Sequence, residues 1–539
     1  MPEKASFDPA VFHRPLLTSL AITCCYFILG WLFFTPFFQS NDDMVLNWIT
    51  QGFGLVDHPS EFLVLVNVLV GLVLKNLNLF CPSVPWFGVG LFLVFFLSVW
   101  ALLAALFSRE RSPWMLLFFG LLGTPLFFHC FAWPQYTVYG LLAAISGVLL
   151  LVHPIRPGKL SDGMVLVLLV VSSLIRLEPA LFTLAAGLVY ILTGNREEVK
   201  GRLKVLSAAL LLIFFGVGFD RWYVAAHPGW KEARTYFDRR FSIDEIKVTD
   251  YERQKAAFQA VGWEPEDYRM FTDTFYAGPA FDLDKLQRLD SLLKVDYRVK
   301  WELLGELIQN SFVQMVLMGL GAGIFLTAMF VGRGWGPLVW VLAMILILVL
   351  FQKIVARVLW PLLLFADLVM LFTWPVFPKL KRGLAWAAIL LALVLAGGAF
   401  HCLKEDWTVN RTGAPARLAI LDSLEKLSPR PDQLFIIWGP SFPFAGFPIF
   451  RTVDSLKGFK FFWMSWQERT PYGEERLDQF HIRNLLKDTV DRPDVFWLLN
   501  DPDRHLEDYC REHAGMDVRR RLVFHGYFDV YQLASARGR

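Results

Sequence analysis

Runs of apolar residues alternate with short polar connections over the first 400 residues. Residues 61–80 are a further candidate, but Asn67, Lys75 and Asn78 make them a poor membrane span. The pattern predicts an α-helical polytopic membrane protein with about eleven transmembrane helices. The predicted helices are 16–38, 87–107, 114–132, 137–152, 163–175, 180–193, 205–219, 312–331, 336–351, 358–374 and 384–400.

Two longer polar regions interrupt or follow these runs. Residues 220–310 form an insertion with helical patterns at 252–260 and 283–308. Residues 401–539 follow the last run, and strand-like and helix-like segments alternate there, which indicates a small α/β domain. The predicted strands are 434–438, 495–499 and 522–533, and the predicted helices are 416–427 and 505–513. We therefore divide the chain into a transmembrane module, 1–400, and a C-terminal domain, 401–539.

Lys and Arg are concentrated in alternate connections, which sets the orientation. With a cytoplasmic N-terminus, each inner loop is basic, for example the loop of Arg196, Lys200 and Arg202. This assignment keeps 61–80 outside, as an interfacial or re-entrant helix in a first external loop at 39–86. If 61–80 crossed the membrane, the basic alternation would invert after it. The insertion and the C-terminal domain are then both extracytoplasmic.

The composition agrees with a membrane protein. The chain of 539 residues is 55% hydrophobic and 19% charged, with a mean hydropathy of +0.44. A water-soluble protein of this size would not hide so much apolar surface. The net charge of +3 is uninformative, and the cations cluster at membrane edges, so we expect no nucleic-acid partner.

Familiar catalytic and metal-binding motifs are missing from the sequence. It contains no HExxH, GxSxG, Walker loop or helix-opening GxGxxG pattern. The six cysteines show no CxxC spacing. The spacing does not determine whether Cys402 and Cys510 form a disulfide. The first apolar run is long and no small-residue cleavage site follows it, so we expect no cleavable signal peptide.

Asp42 and Asp43 lie within a few residues of the end of the first apolar run, beside a predicted helix at 44–53. Carboxylates this close to a bilayer are solvated, paired or functional. The alternative is a hydrated loop in which an Asp caps the helix.

Arg176 and Glu178 lie between two short apolar runs, 163–175 and 180–193. Thirteen helical residues cover roughly 20 Å, whereas a hydrocarbon core needs about 30 Å. Pro179 disfavours the α conformation at Glu178, so we expect the chain to turn there. Charge at this depth indicates a protein-lined or water-filled cavity. The alternative is a structural Arg176–Glu178 ion pair that staples the helical hairpin.

Lys353 and Arg357 follow the apolar run 336–351 at a spacing of four residues. This spacing places two cations on one helix face, which favours an anionic ligand such as a phosphate. The alternative is snorkelling to lipid headgroups. His129, Gln135 and Tyr136, at the outer end of 114–132, are weaker candidates.

Together these features resemble the GT-C class of integral-membrane glycosyltransferases. The topology of residues 1–400 carries the resemblance, with an acidic motif after the first run at Asn41–Asp43. Further support comes from Gln135-Tyr136, from 176–178 and from the segment 356–361, Ala-Arg-Val-Leu-Trp-Pro. The resemblance implies transfer of a sugar from a polyprenyl phosphate or diphosphate to an acceptor hydroxyl on a glycan, lipid or protein.

The resemblance also implies roles for the candidate residues. Asp42 or Asp43 is then the general base, and Lys353 and Arg357 stabilise the leaving phosphate. Arg176, held by Glu178, assists them, and His129, Gln135 and Tyr136 support the site. A single base without a covalent carboxylate implies inversion at the sugar carbon.

Metal dependence stays open. The second external loop, 131–136, lacks the carboxylate that metal-dependent members of the class carry there. Asp43 and Glu178 are the alternative ligands for Mg²⁺ or Mn²⁺.

Two other functions fit part of the pattern. A lipid-linked-glycan flippase would place charges along a translocation path, and a non-enzymatic scaffold would need them only for structure. We expect a bacterial cytoplasmic (inner) membrane location, although Asn410-Arg411-Thr412 formally permits a eukaryotic lumen.

Overall fold

The computed structural model describes residues 9–108, 113–155, 159–247, 250–330, 335–351, 355–373, 382–444, 446–451, 458–499 and 505–536. The protein is mostly helical, with a small C-terminal sheet. The first α-helices are α1 (Pro9–Phe33), α2 (Asn41–Gln51), α3 (Val68–Phe80), α4 (Trp86–Phe107), α5 (Pro113–Ala132), α6 (Tyr136–Val152), α7 (Lys159–Ile175), α8 (Leu177–Ile191), α9 (Arg196–Ala225) and α10 (Pro228–Phe241). They are followed by α11 (Lys255–Gln259), α12 (Pro265–Thr272), α13 (Leu283–Leu292), α14 (Tyr297–Ile308), α15 (Ser311–Phe330), α16 (Trp335–Phe351), α17 (Ala356–Thr373), α18 (Arg382–Leu427), α19 (Pro471–Gln479) and α20 (His505–Ala514).

Each of the eleven predicted apolar segments corresponds to a helix, because a continuous apolar run satisfies its backbone polar groups internally in that form. By length and composition, three helices of the described chain can span a membrane: Pro15–Phe33, Trp86–Phe107 and Arg196–Ala225. A bent pair, Tyr297–Ile308 with Val313–Gly321, makes four if it is one span. The predicted count of eleven spans is not supported, since helices such as α6 and α8 have only 17 and 15 residues.

Several predicted boundaries were wrong. The region 283–308 is two helices, because Asp296 caps α14 by accepting hydrogen bonds from the backbone N–H groups of Arg298 and Val299. The segments 384–400 and 416–427 belong to the single 46-residue helix α18. The predicted domain boundary at 401 therefore falls inside a continuous helix.

The C-terminal sheet has five strands in the order β2-β1-β3-β5-β4. The strands are β1 (Leu434–Trp438), β2 (Lys460–Met464), β3 (Val495–Leu498), β4 (Val518–His525) and β5 (Asp529–Ser535). β1 pairs in parallel with β2 and β3, and the antiparallel hairpin β4–β5 extends the sheet beside β3. The strand predicted at 522–533 is thus the turn of a hairpin and parts of two strands, and β2 was not predicted.

The insertion and the C-terminal domain share one hydrophobic core. Trp263, Phe275 and Phe281 of the insertion are fully buried in the same cluster as Trp497 of β3. The insertion is therefore packed with the C-terminal domain, although the sequence placed it in the transmembrane module. Cys402 and Cys510 form no disulfide with each other within the described residues.

Candidate functional site

The first turn of α2 presents the acidic pair. The helix is capped by Ser40, whose side chain accepts a hydrogen bond from the backbone N–H of Asp43. Asp42 and Asp43 lie in the first turn, where the helix dipole favours negative charge. The capping role considered for an Asp thus belongs to Ser40, and both carboxylates are left for other contacts.

Asp43 is fully buried and joins α2 to the start of α6. Its Oδ1 accepts a hydrogen bond of 2.9 Å from the backbone N–H of Tyr136, and its Oδ2 accepts one of 2.5 Å from the Ser40 hydroxyl. Burial raises the pKa of Asp43 to about 7, and Asp42 adds to the rise. The two hydrogen bonds and nearby Arg357 act in the opposite direction.

Asp42 instead faces a cavity of about 180 Å³. The indole Nε1 of Trp466, in the C-terminal domain, donates a hydrogen bond of 2.8 Å to its Oδ1. Of the two adjacent carboxylates, Asp42 is therefore the one that a ligand in the cavity can touch.

Five of the candidate residues line the same cavity. They come from four separate parts of the chain and share this chamber: Asp42, Tyr136, Arg176, Glu178 and Arg357. Its apolar wall includes Phe182 of α8, Leu348 of α16 and Val358 and Leu362 of α17. The structure therefore brings these five candidate residues to one cavity, whereas Asp43 is buried and is not among the described residues that line it.

Arg176 is the point where α7 and α8 are joined. Its backbone is extended (φ −154°, ψ 105°), so the break lies at Arg176 and not at Glu178 as predicted. Pro179 falls in the first turn of α8, where proline is tolerated because the N–H would have no helical partner. The Arg176 Nε lies 3.6 Å from the Glu178 Oε2, and Glu178 is exposed. The predicted ion pair is therefore present, and it lies in the wall of the cavity.

Arg357 lies at the start of α17 and is half-buried. Within the described part of the chain, it makes no hydrogen bond or ion pair, so its guanidinium is available to a ligand. Lys353, the second cation of the predicted phosphate site, lies outside the described residues.

Gln135 and His129 are not among the described residues that line the cavity. Gln135 caps α6 through a 2.8 Å hydrogen bond to its side chain from the backbone N–H of Val138. His129 Nδ1 lies 3.0 Å from the Asp406 carboxylate, which also accepts a hydrogen bond from Trp133. These contacts join α5 to α18 and give His129 a structural setting.

The cavity also contains residues that sequence reasoning missed. Arg240 and Glu245 reach it from the insertion, and Trp466 reaches it from the C-terminal domain. Arg239 is adjacent to Arg240 but is paired with Asp290 at 3.1 Å. Only the three-dimensional contacts separate the two arginines, and no local pattern singles out Trp466.

Asp43 and Glu178, the residues suggested for a metal, do not belong to a cluster of metal-ligating side chains among the described residues. Among the described residues, no group of three or more His, Cys, Asp or Glu side chains can hold a metal ion. Both carboxylate oxygens of Asp43 accept hydrogen bonds, from Ser40 and Tyr136, and Glu178 forms an ion pair with Arg176. Carboxylates interspersed with guanidinium groups suit an anionic or hydroxylated ligand better than a divalent cation.

Comparison of the chain with family models, with curated proteins and with solved structures finds no match. The functional argument therefore depends on the cavity itself.

Proposed function

We propose that the protein is a membrane glycosyltransferase of the GT-C type. It moves a sugar from a polyprenyl phosphate or diphosphate donor to an acceptor hydroxyl at the outer face of the membrane. The observation that carries the proposal is the single cavity shared by Asp42, Arg176 and Arg357. A carboxylate base and guanidinium groups are the two kinds of group that this transfer requires.

The proposal also includes a membrane topology with more helices than the three that are long enough to span a membrane alone. The N-terminus is cytoplasmic, the C-terminal domain is extracytoplasmic, and about eleven helices cross or enter a bacterial inner membrane. Its support is the set of shorter apolar helices, such as Phe119–Ala132 and Tyr136–Val152. A short helix like α6, buried along its whole length by other helices, does not need to match the bilayer thickness alone.

Asp42 is the general base in this mechanism. It faces the cavity, whereas Asp43 is fully buried and bonded to Ser40 and Tyr136. The acceptor hydroxyl gives its proton to Asp42 as its oxygen attacks the anomeric carbon of the sugar. Asp43 is a positioning residue that holds the first turn of α2 against α6.

Arg357 and Arg176 bind the leaving group. As the bond from the acceptor oxygen to the anomeric carbon forms, the bond from that carbon to the phosphate oxygen breaks. The electron pair leaves with the phosphate, and the guanidinium groups stabilise the added negative charge. Direct displacement with one base inverts the configuration of the sugar carbon.

The test is release of polyprenyl phosphate from polyprenyl-phosphate-linked hexoses and pentoses by the purified full chain with a membrane extract as acceptor. We expect Asp42→Asn to reduce release by roughly 100-fold or more, because general-base catalysis contributes about that much. It should keep its affinity for farnesyl phosphate. The matched control is Asp422→Asn, which changes an exposed carboxylate of α18 and should leave release unchanged.

Full release by Asp42→Asn would reject Asp42 as the base. A protein that carries labelled donor across vesicle bilayers without releasing polyprenyl phosphate would be a flippase, and the proposed transferase activity would be wrong.

A further inference from the structure

The helix α14 of the insertion exposes an apolar stripe beside a polar one. Tyr297, Trp301 and Ile308 are 49%, 50% and 43% exposed. At about 100° per residue, their side chains leave the helix within roughly 40° of one another. Arg298 and Glu302 lie about 100° further round the helix, and they form an ion pair of 3.2 Å. Single exposed apolar residues are ordinary, but an apolar stripe along one side of a helix indicates a contact surface.

The third side of α14 is packed at the ends of two apolar helices. Lys300 is buried, and its Nζ donates a hydrogen bond of 3.2 Å to the backbone carbonyl of Leu350. Leu350 lies in the last turn of α16, where carbonyl groups have no helical partner. At the other end of α14, the side chain of Asn310 caps α15 by accepting a 3.3 Å hydrogen bond from the backbone N–H of Val313. The helix α14 therefore lies at the level where α15 begins and α16 ends.

The axis of α14 is turned 85° from that of α15, measured between Tyr297–Ile308 and Val313–Gly321. In the proposed topology, α15 and α16 cross or enter the bilayer, with the start of α15 and the end of α16 at its outer face. A helix that lies across these two ends at nearly a right angle is parallel to the membrane surface. Trp and Tyr favour this depth, because the ring is apolar and its N–H or O–H group reaches water.

We propose that α14 is an interfacial helix that lies in the outer surface of the phospholipid bilayer. Tyr297, Trp301 and Ile308 insert at the boundary between the headgroups and the acyl chains, and the polar stripe stays in water. The inference rests on the topology given with the proposed function and is independent of sugar transfer. It excludes the arrangement in which α14 and α15 form one bent span.

This contact fixes the height of the insertion above the membrane. Asp296, which precedes α14, donates its backbone N–H to the carbonyl of Lys247 at 3.1 Å, and its carboxylate lies 3.1 Å from Arg253. A lipid-bound α14 is therefore tied to the rest of the insertion. The insertion supplies Arg240 and Glu245 to the cavity, so the interfacial helix holds these two residues at the membrane surface.

A zwitterionic lipid is sufficient for this contact. The polar stripe carries one cation and two carboxylates, Arg298, Glu302 and Glu306. Interfacial helices that depend on anionic lipids are rich in Lys and Arg on their polar face. We therefore expect α14 to insert equally into phosphatidylcholine and phosphatidylglycerol bilayers.

The test places the photoreactive residue p-benzoylphenylalanine at single positions of the full chain in phosphatidylcholine vesicles, and mass spectrometry identifies the adducts. We expect phospholipid adducts when it replaces Trp301, and the same when it replaces Ile308 on the same stripe. The matched control replaces Glu302, the neighbour of Trp301 on the polar stripe, and should give none. Lipid adducts at both 301 and 302 mean that lipid surrounds α14, as in a bent span, and overturn the inference. Adducts at 301 and 308 to a second copy of the chain, or no lipid adducts at either, also overturn it.

A reference position separates failure of this inference from failure of the topology. Leu346 of α16 is 48% exposed, so the proposed topology requires lipid adducts there. Adducts at 346 without adducts at 301 and 308 overturn the interfacial helix and leave the topology standing. A lack of lipid adducts at 346 overturns the proposed topology itself. A higher yield at 301 in phosphatidylglycerol than in phosphatidylcholine overturns the sufficiency of a zwitterionic lipid.

Discussion

The indole of Trp466 and the carboxylate of Asp42 are joined by a 2.8 Å hydrogen bond across 424 positions of the chain. Asp42 is on the first helix after α1, and Trp466 follows the last residue of β2 in the C-terminal domain. The C-terminal domain thus completes the wall around the proposed base.

Trp466→Phe should slow sugar transfer roughly tenfold, because a hydrogen bond to a charged group contributes about 1.5–3 kcal/mol. Binding of the donor should change little, since the indole of Trp466 donates its hydrogen bond to Asp42 and both arginines of the proposed phosphate site are retained. The measurement is the transfer rate at saturating donor. Trp438→Phe is the control, because it removes an indole hydrogen bond of 2.7 Å to the backbone carbonyl of Asp273. Equal rates for Trp466→Phe and the wild type would contradict the positioning role.

Asp43→Asn should flatten the dependence of stability on pH between about pH 4 and pH 7. Burial holds the pKa of Asp43 at about 7 in the folded protein, above its ordinary value of 3.8. Because the folded state then binds the proton more tightly, the free energy of unfolding of the wild type falls as the pH rises through this window. The full effect is on the order of 4 kcal/mol.

The measurement is the melting temperature of wild type and variant from pH 4 to pH 9. We expect the melting temperature of the variant, relative to that of the wild type, to rise up to about pH 7 and to differ by a constant amount above that pH. Asp422→Asn, with an exposed carboxylate, should run parallel to the wild type. If the difference in melting temperature between Asp43→Asn and the wild type did not change with pH, Asp43 would not be buried in its protonated form.

The sequence predicted the cavity as far as local signals allow. Asp42, Arg176 and Arg357 each lie at the end of an apolar run, where charge is costly, and this cost is visible without coordinates. The sequence does not show which of Asp42 and Asp43 faces the cavity and which is buried. Adjacent residues in a helical turn point about 100° apart, and only packing decides which one is buried. Arg240 and Trp466 were missed because arginine and tryptophan are ordinary in segments of mixed polar and apolar composition, where no local cost of a buried charge is visible.

The fold, like the cavity, could be predicted from the sequence only in part. The apolar runs predicted the helices, because their composition leaves few other ways to satisfy the backbone. The shared core of the insertion and the C-terminal sheet was not predictable, since the contact of Phe275 with Trp438, with ring centroids 6.0 Å apart, joins segments far apart in sequence. The aromatic residues Trp230, Tyr236 and Trp263 of the insertion are likewise buried in packing.

Arg357→Gln should weaken binding of farnesyl phosphate roughly tenfold, because it removes a charge-assisted contact to the phosphate. Folding should be unaffected, since Arg357 has no hydrogen bond or ion pair within the described chain. Calorimetry with the purified protein measures the affinity. Arg221→Gln, an exposed arginine at the end of α9 that does not line this cavity, is the matched control. If the two variants bind alike, the phosphate site is not at Arg357.

Glu468→Gln should stabilise the protein increasingly as the pH rises from about 4.5 to 8. Glu468 is buried two residues after Trp466, and its Oε2 accepts a 2.9 Å hydrogen bond from the backbone N–H of Tyr276. Its Oε1 has no partner in the described chain. Burial raises its pKa to about 8, against the opposing effect of Arg469.

The folded protein therefore holds the Glu468 proton up to about pH 8, and the unfolded chain releases it near pH 4.5. Stability of the wild type is lost across this window, by on the order of 4 kcal/mol in total. Glutamine keeps the acceptor for Tyr276 without the charge, so the melting temperature of Glu468→Gln should exceed that of the wild type at pH 8 and approach it near pH 4.5. Glu475→Gln, an exposed position on α19, should follow the wild type throughout. Parallel curves for Glu468→Gln and the wild type would mean that Glu468 reaches solvent, and that the loop carrying Trp466 is packed less tightly against Tyr276 than its hydrogen bond indicates.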